Sequence, residues 1–346
     1  MNDVLTIGSV TTDTFIQADF LKTITDPKHL SHIGFRSGKA QCFSLGSKIE
    51  ISNPIVTIGG GAYNSAVTFS RSGFKTASLF NIGDDNFGKN IISSAKKEKI
   101  FPLAIVDKKK NTGSSIILLD KNGERTILVY RGCSGQIERN EIPLSKLKAK
   151  WTYISPGSIS LNVLKTIISK LHKNGSCIAI NPSKDLIKSG ISKIKPILNL
   201  CKVVILNREE ASYLTGIPYQ NSKEIFKKMD QYVKGLVLVT DGSKGATVSD
   251  GYVMWSVGTF KEKKVIDRTG AGDAFGSAFV AGLLDFECEC LSGRCNIDAV
   301  AYSLKRASAN ATSVIEKIGA NSGILTKKEF ISNHRWNKLK INIKRT

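Results

Sequence analysis

Residues 267–275 read DRTGAGDAF, and a largely apolar run continues to Leu284. In a turn made by Gly270, Ala271 and Gly272, successive backbone N–H groups can converge, and a helix opening there adds the positive end of its dipole. Such a turn is an anion hole, suited to phosphate. Asp273 then sets a carboxylate in the first turn of the same helix. Two readings fit the segment taken alone. Either the carboxylate does chemistry beside a bound phosphate, or it caps the helix while the glycines make a tight turn.

Other nucleotide signatures are absent. There is no G-x-x-x-x-G-K-[ST] segment, and the protein-kinase signature set is missing. Gly270, Gly272 and Gly276 come near G-x-G-x-x-G but are spaced one residue too long, and they lie far from the N-terminal half where a dinucleotide fold carries that turn. His29, His32, His172 and His334 show no metal-ligand spacing. Cys42, Cys133, Cys177 and Cys201 are scattered singly. The cluster Cys288, Cys290 and Cys295 lacks the C-x-x-C spacing of a zinc site, so structural or incidental thiols are expected.

The elements that must position the turn are legible as an alternation. Short apolar runs at 4–8, 56–59, 151–157, 177–182, 202–207 and 235–242 alternate with helical stretches such as 161–174, 185–199, 207–215 and 222–234. Such βαβ units predict a doubly wound α/β fold, a mainly parallel, Rossmann-like sheet flanked by helices. Two long apolar helices are expected at 273–286 and 297–316. Residues 14–20, 41–51 and 113–130 break the rhythm and look antiparallel, the last turning at Asn122-Gly123. A small projecting β-sheet built from segments 14–51 and 113–130 is therefore expected as a lid on a single domain over 1–335. Residues 336–346 are expected as a basic C-terminal tail.

With 346 residues and 41% hydrophobic content, the chain can bury a sizeable core. No apolar run approaches the ~20 residues of a membrane span. The opening MNDVLTIGSV starts a strand without a basic region before a long apolar stretch, so a cytoplasmic protein without a signal peptide is expected. Fifty basic against 29 acidic residues leave a net charge of +21. The lysines are spread along the chain, with local excesses at 96–99, 108–110 and 327–346, which favours a solvated basic surface over a nucleic-acid site. The same field attracts a polyanionic small substrate.

Four segments taken together extend the reading: IGGGAYNSA (58–66), LNREEASYLTG (206–216), VTDGSKGA (239–246) and DRTGAGDAF (267–275). In this order they resemble the ribokinase-like carbohydrate kinase family, also called PfkB, over roughly residues 3–325. The resemblance implies that Asp13 accepts sugar hydroxyls and that Gly59, Gly60 and Asn64 form the substrate loop. It implies that Asn207 and Glu210 organise Mg²⁺ and its waters near the phosphates of ATP, and that Thr240, Gly242 and Gly245 belong to a nucleotide-binding loop. Asn310 would lie in the helix flanking the adenine site. Gly270, Ala271 and Gly272 become the anion hole and Asp273 the catalytic base, while Asp267 and Thr269 fall where many members bind a monovalent cation such as K⁺.

What the resemblance implies is therefore an ATP-dependent kinase acting on an alcohol of a sugar or sugar-containing small molecule, with a homodimer through the lid as a further expectation. A nucleoside (adenosine-type) kinase of the same fold is one alternative. A non-catalytic sugar- or nucleotide-binding relative is the other, and the intact Asp273 and Gly272 argue against it.

Overall fold

The computed structural model describes residues 1–17, 22–35, 38–119, 125–287 and 296–345. In chain order the strands are β1 (Asn2–Gly8), β2 (Thr11–Gln17), β3 (Lys22–Thr25), β4 (Lys39–Cys42), β5 (Ile55–Gly59), β6 (Thr76–Gly83), β7 (Ile100–Asp107) and β8 (Ser114–Leu119). They continue as β9 (Arg125–Tyr130), β10 (Ala149–Ser155), β11 (Cys177–Ile180), β12 (Val203–Asn207), β13 (Leu236–Thr240), β14 (Ala246–Ser249), β15 (Val253–Val257) and β16 (Ile341–Arg345). The helices are α1 (Pro27–His32), α2 (Gly61–Arg71), α3 (Asn86–Lys97), α4 (Leu161–Lys173), α5 (Lys184–Lys188) and α6 (Ile191–Leu198). After them come α7 (Arg208–Thr215), α8 (Ser222–Met229), α9 (Ala271–Asp285), α10 (Ile297–Ile315) and α11 (Lys327–Ser332).

The main sheet runs β16-β15-β14-β13-β12-β11-β10-β1-β6-β7. From β13 to β7 every neighbour is parallel, as the βαβ alternation predicts. These strands are covered on both faces, which is why VVIL in β12 and LVLV in β13 are continuous apolar runs. Side chains still alternate. Leu5 and Ile7 of β1 join the core under α4, α6 and α8, whereas Val4 points to the core under α9 and α10. Helix α9 is buried from Ala274 through Leu283 and apolar almost all round, as befits a helix wedged between sheet and α10. A Cβ added to Gly282 would stand 2.6 Å from Ser303 Cα, so α9 and α10 meet closer there than side chains permit.

The second sheet is ordered β5-β2-β8-β9, and β3 pairs with β4 beside it. A small projecting sheet is present, with three corrections to its expected form. It is mixed, because β2 and β8 run parallel. It recruits β5, which lies past the expected 14–51 segment. Of the expected 41–51 run only Gln41 and Cys42 are in a strand, as the end of β4, since 43–54 holds none. The Asn122-Gly123 turn lies outside the described residues.

The expected separate tail over 336–346 is also corrected. Trp336 is buried, and β16 pairs antiparallel with β15 as the outermost strand of the main sheet. Cys42, Cys133 and Cys201 are free thiols, whereas Cys177 is disulfide-bonded, which the reading of scattered thiols does not anticipate. The Cys288, Cys290 and Cys295 cluster lies outside the described residues. Among the described residues, no helix is long and apolar enough to cross a membrane.

Candidate active site

The chain leaves β1 toward β6 and β7 on one side of the sheet and later fills the other side from β10 to β13. The carboxyl ends of β1 and β10 therefore flank a switch point, where an open α/β sheet leaves a crevice for a ligand. Gly8 lets the two ends close up, since a Cβ there would overlap the carbonyl of Ser155.

Helix α9 starts over this crevice. Its N-cap is Gly270 in the left-handed region (φ +77°), packed so tightly on Ala320 that a Cβ would approach its Cα to 2.7 Å. Among the described residues no side chain caps this helix. The first intrahelical bond runs from Ala274 N–H to the Gly270 carbonyl (2.8 Å), so the N–H groups of Ala271, Gly272 and Asp273 come before the ladder begins. The carboxylate of Asp273 does not turn back to cap them. It accepts a hydrogen bond from Asn64 Nδ2 at 2.9 Å. The capping alternative therefore gives way to a carboxylate aimed across the crevice.

Asn64 is placed by the β5–α2 corner. Gly60, at φ +93°, turns the chain over Ser9 and Val10, where a Cβ would stand 2.6 Å from Val10 Cα. A Cβ on Gly61 would overlap Ser155 Oγ and stand 3.4 Å from Asp273 Oδ1, so this glycine keeps that oxygen accessible. Gly59 serves the other end, where a Cβ would overlap Asp13 Oδ2. Asp13 is buried, and its Oδ1 accepts from Ser115 Oγ (2.6 Å) and Thr11 Oγ1 (3.0 Å), leaving Oδ2 as an acceptor. Residues 59–64 thus span from Asp13 to Asp273. Burial pushes the Asp273 carboxyl above the ordinary aspartate range, opposed by the Asn64 amide. Burial pushes Asp13 up as well, while the Ser115 and Thr11 hydroxyls hold it down.

On the opposite side of the α9 N-terminus lies a cavity of about 270 Å³. Ala271 and Gly272 line it together with Thr240, Gly242 and Gly245, which lie before β14 and β15 in the chain. Gly245 takes φ +93° against the Val257 carbonyl, where any Cβ would overlap. The uncapped N–H groups therefore stand between two compartments, one lined by carboxylates and hydroxyls, the other by glycine loops.

The pfkB family carbohydrate kinase profile matches residues 36–327. This chain belongs to that family. An uncharacterized sugar kinase of Archaeoglobus fulgidus is 28% identical over 265 residues, covering 74% of this chain and 97% of its own length. The ribokinase of Haemophilus influenzae is 26% identical, covering 83% and 90%. Among solved structures, a putative ribokinase II of E. coli in complex with ATP and Mg²⁺ superposes with a TM-score of 0.73 at 17% identity, covering 94% of this chain and 96% of that one.

The remaining expected residues of this carbohydrate kinase are placed as follows. Asn207 ends β12 directly beside Thr240 of β13. With Glu210 it forms a reciprocal capping box: Glu210 N–H donates to Asn207 Oδ1 (2.8 Å) and Asn207 N–H to Glu210 Oε2 (2.9 Å). Asp267 is fully buried and receives Thr269 N–H (2.9 Å), Thr269 Oγ1–H (2.6 Å) and Gly319 N–H (3.1 Å). It orders the loop in front of α9. Asn310 is placed apart from the cavity. Its amide donates to the Ala274 carbonyl and accepts from Leu325 N–H, tying α10 to α9, while its neighbours Ser308, Ala311 and Thr312 line the cavity. Those three, with Thr259 and Phe260, line the cavity without having been named from the sequence, and Arg268, for which the sequence suggested no role, lines it too. The small side chains on one face of α10 were the available signal. Asn321, which donates to Asn64 Oδ1 at 3.4 Å, carried none.

The raised Asp273 carboxyl has a stability consequence with a definite sign. A carboxyl whose folded value lies above its unfolded value stabilises the fold below the unfolded value and loses that contribution as pH rises through the folded one. At pH 7 the wild type therefore carries a charge it would hold more cheaply unfolded. Asp273→Asn is expected to melt higher than wild type at pH 7, with the gain shrinking toward zero as pH falls below the usual aspartate range. Melting curves across pH 3–8 read this. A capping aspartate would give the reverse, a loss of about 0.5–2 kcal/mol at neutral pH.

Proposed function

We propose that this sugar kinase transfers the γ-phosphoryl group of ATP to an alcohol of a sugar or sugar-containing small molecule, with Asp273 as the base and Gly270, Ala271 and Gly272 as the anion hole. One observation carries the reading. Asp273 stands in the uncapped first turn of α9, its carboxylate held by Asn64 toward the Asp13 compartment, with the glycine-lined cavity behind the same turn.

Nucleotide in that cavity would lie along Thr240, Gly242 and Gly245, its terminal phosphate reaching the free N–H groups of α9. The acceptor sugar would be gripped by Asp13, Gly59, Gly60 and Asn64 on the other side. Asp273 takes the proton of the acceptor hydroxyl as that oxygen bonds to the γ-phosphorus and the bond to the ADP oxygen breaks. The carboxylate stands beside an anion site because the nucleophile must pass between the two. Pre-aimed N–H groups neutralise the charge that builds on the transferring group without reorganising.

Mg²⁺, when bound, would screen the ATP phosphates. Asn207 and Glu210 would hold it through its waters. Burial pushes the Glu210 carboxyl up while the Asn207 N–H and the charge of Lys184 hold it down, and a nearby cation relieves such a burial cost. A K⁺ at Asp267 and Thr269 would act on the loop and not on substrate. Its presence predicts activation by K⁺ at constant ionic strength, and equal rates with a larger inert cation would remove it from the scheme. A homodimer through the lid completes the proposal. Val56, Ile116 and Leu128 form one row with Thr14 on the second sheet and are 56%, 42% and 56% exposed, an apolar stripe that a second copy would cover. Sedimentation is expected to give a dimer that Leu128→Lys converts to monomer.

ATP consumption measured with ribose, fructose, 2-keto-3-deoxygluconate, a sugar phosphate and a nucleoside identifies the acceptor. In the same assay Asp273→Asn is expected to lose about 10²–10⁴-fold in kcat, the usual loss for a general base. ATP affinity should hold or improve, because a negative charge beside the phosphates is gone. Turnover of this variant within a few-fold of wild type would overturn the assignment of the base.

A further inference from the structure

One wall of the glycine-lined cavity is segment 259–265, which carries no helix or strand. A stretch with no ladder of its own must find partners for its backbone elsewhere. The Thr259 hydroxyl donates to the Ser243 carbonyl, and the partners of the residues that follow lead to the C-terminal end of the chain. Trp336 is buried and meets Phe260 edge-on, ring centroids 5.1 Å apart at 82°. Phe260 is itself buried and lines the cavity. Arg335 donates to the Lys261 carbonyl at 2.7 Å and grips Glu316 with both terminal nitrogens, at 3.0 and 2.6 Å. Its guanidinium also lies 4.4 Å from the Trp336 ring centroid. Glu316, the C-cap of α10, accepts Lys263 N–H at 2.6 Å. The wall is thus fastened at Phe260, Lys261 and Lys263, and each fastening leads to Arg335 or Trp336. The family match ends at residue 327, so both residues lie beyond it.

We propose that the C-terminal segment 334–345 is a working part of the nucleotide site, in which Arg335 and Trp336 are positioning residues that hold wall 259–265 in its binding-competent form. This rests on the reading of the cavity as the nucleotide site. Its consequence is selective. Loosening the wall lowers the fraction of molecules ready to take nucleotide, and apparent affinity falls by that fraction. Among the described residues no hydrogen bond or ring contact joins the brace to the Asp13 compartment, which is expected to keep its properties.

The test is calorimetric binding of ATP with Mg²⁺ to full-length wild type, Arg335→Ala, Arg335→Lys and Trp336→Phe, with steady-state rates for ribose or fructose beside it. Arg335→Ala is expected to raise the Kd and KM for ATP about five- to tenfold. Arg335→Lys, which keeps the charge but not the two-pronged grip, should fall between it and wild type. Sugar KM, and kcat at saturating ATP, should stay within twofold. An ATP Kd within twofold of wild type in both Arg335 variants overturns the brace. So does a proportionate loss in ATP KM, sugar KM and kcat, which would mark a merely structural role. A wild type that does not bind ATP overturns the nucleotide reading and the brace with it, whereas the first two outcomes leave the nucleotide reading standing.

Discussion

The uncapped start of α9 is the constraint on which the site depends. A buried helix normally satisfies its first N–H groups with a side chain, and here Gly270 offers none. The helix cannot slide away, because α10 and the sheet enclose it and Gly282 brings it against Ser303 at backbone distance. The N–H groups of Gly272 and Asp273 and the positive end of a dipole are therefore left at the switch-point crevice, while Ala271 N–H makes only a long 3.5 Å contact to the Arg268 carbonyl. Asp273 adds a carboxylate within the same turn. The helix dipole favours that charge while burial opposes it, and the Asn64 amide offsets part of the burial cost.

Much of the remaining geometry serves to keep side chains out. Gly8, Gly59, Gly60, Gly61, Gly245 and Gly270 each stand where a Cβ would meet a neighbouring chain segment or a site carboxylate or hydroxyl. Gly276 belongs with them, since a Cβ there would lie 2.6 Å from the Tyr153 hydroxyl beneath the helix. Residues 59–64 then connect Asp13 to Asp273 with little slack. Gly59 leaves room for Asp13, Gly61 for Asp273, and Asn64 grips Asp273 directly.

The two compartments are supported differently. Asp13 sits in β2, held by the Thr11 hydroxyl of its own strand and the Ser115 hydroxyl of β8, on a sheet that joins the main domain through β1 and α2. The cavity behind α9 borrows one wall from an irregular segment, and that wall draws its order from the far C-terminal end. Regular structure supplies its own backbone partners, whereas an irregular wall needs them from outside. The last residues are accordingly packed against the cavity side of α9.

By itself the sequence determined the features that are local. Continuous apolar runs and helical spacing marked β10 to β13 and their crossover helices, because a parallel strand covered on both faces needs such a run. The order of four short motifs was enough for the family. The N-x-x-E segment was visible as well, and its reciprocal capping box is a four-residue interaction. Tertiary structure decided what depends on partners distant in the chain. Asn64 and Asp273 are 209 residues apart, and nothing near either one distinguishes a bridging carboxylate from a capping one. Asn310 lies in the expected helix, but which neighbour its amide meets is set by how α10 rolls against α9. The parallel pairing of β2 with β8, and the capture of residues 341–345 by β15, follow from which sheet edge is open, not from strand propensity. Local periodicity records which face of an element is buried; it carries no record of what that face is buried against.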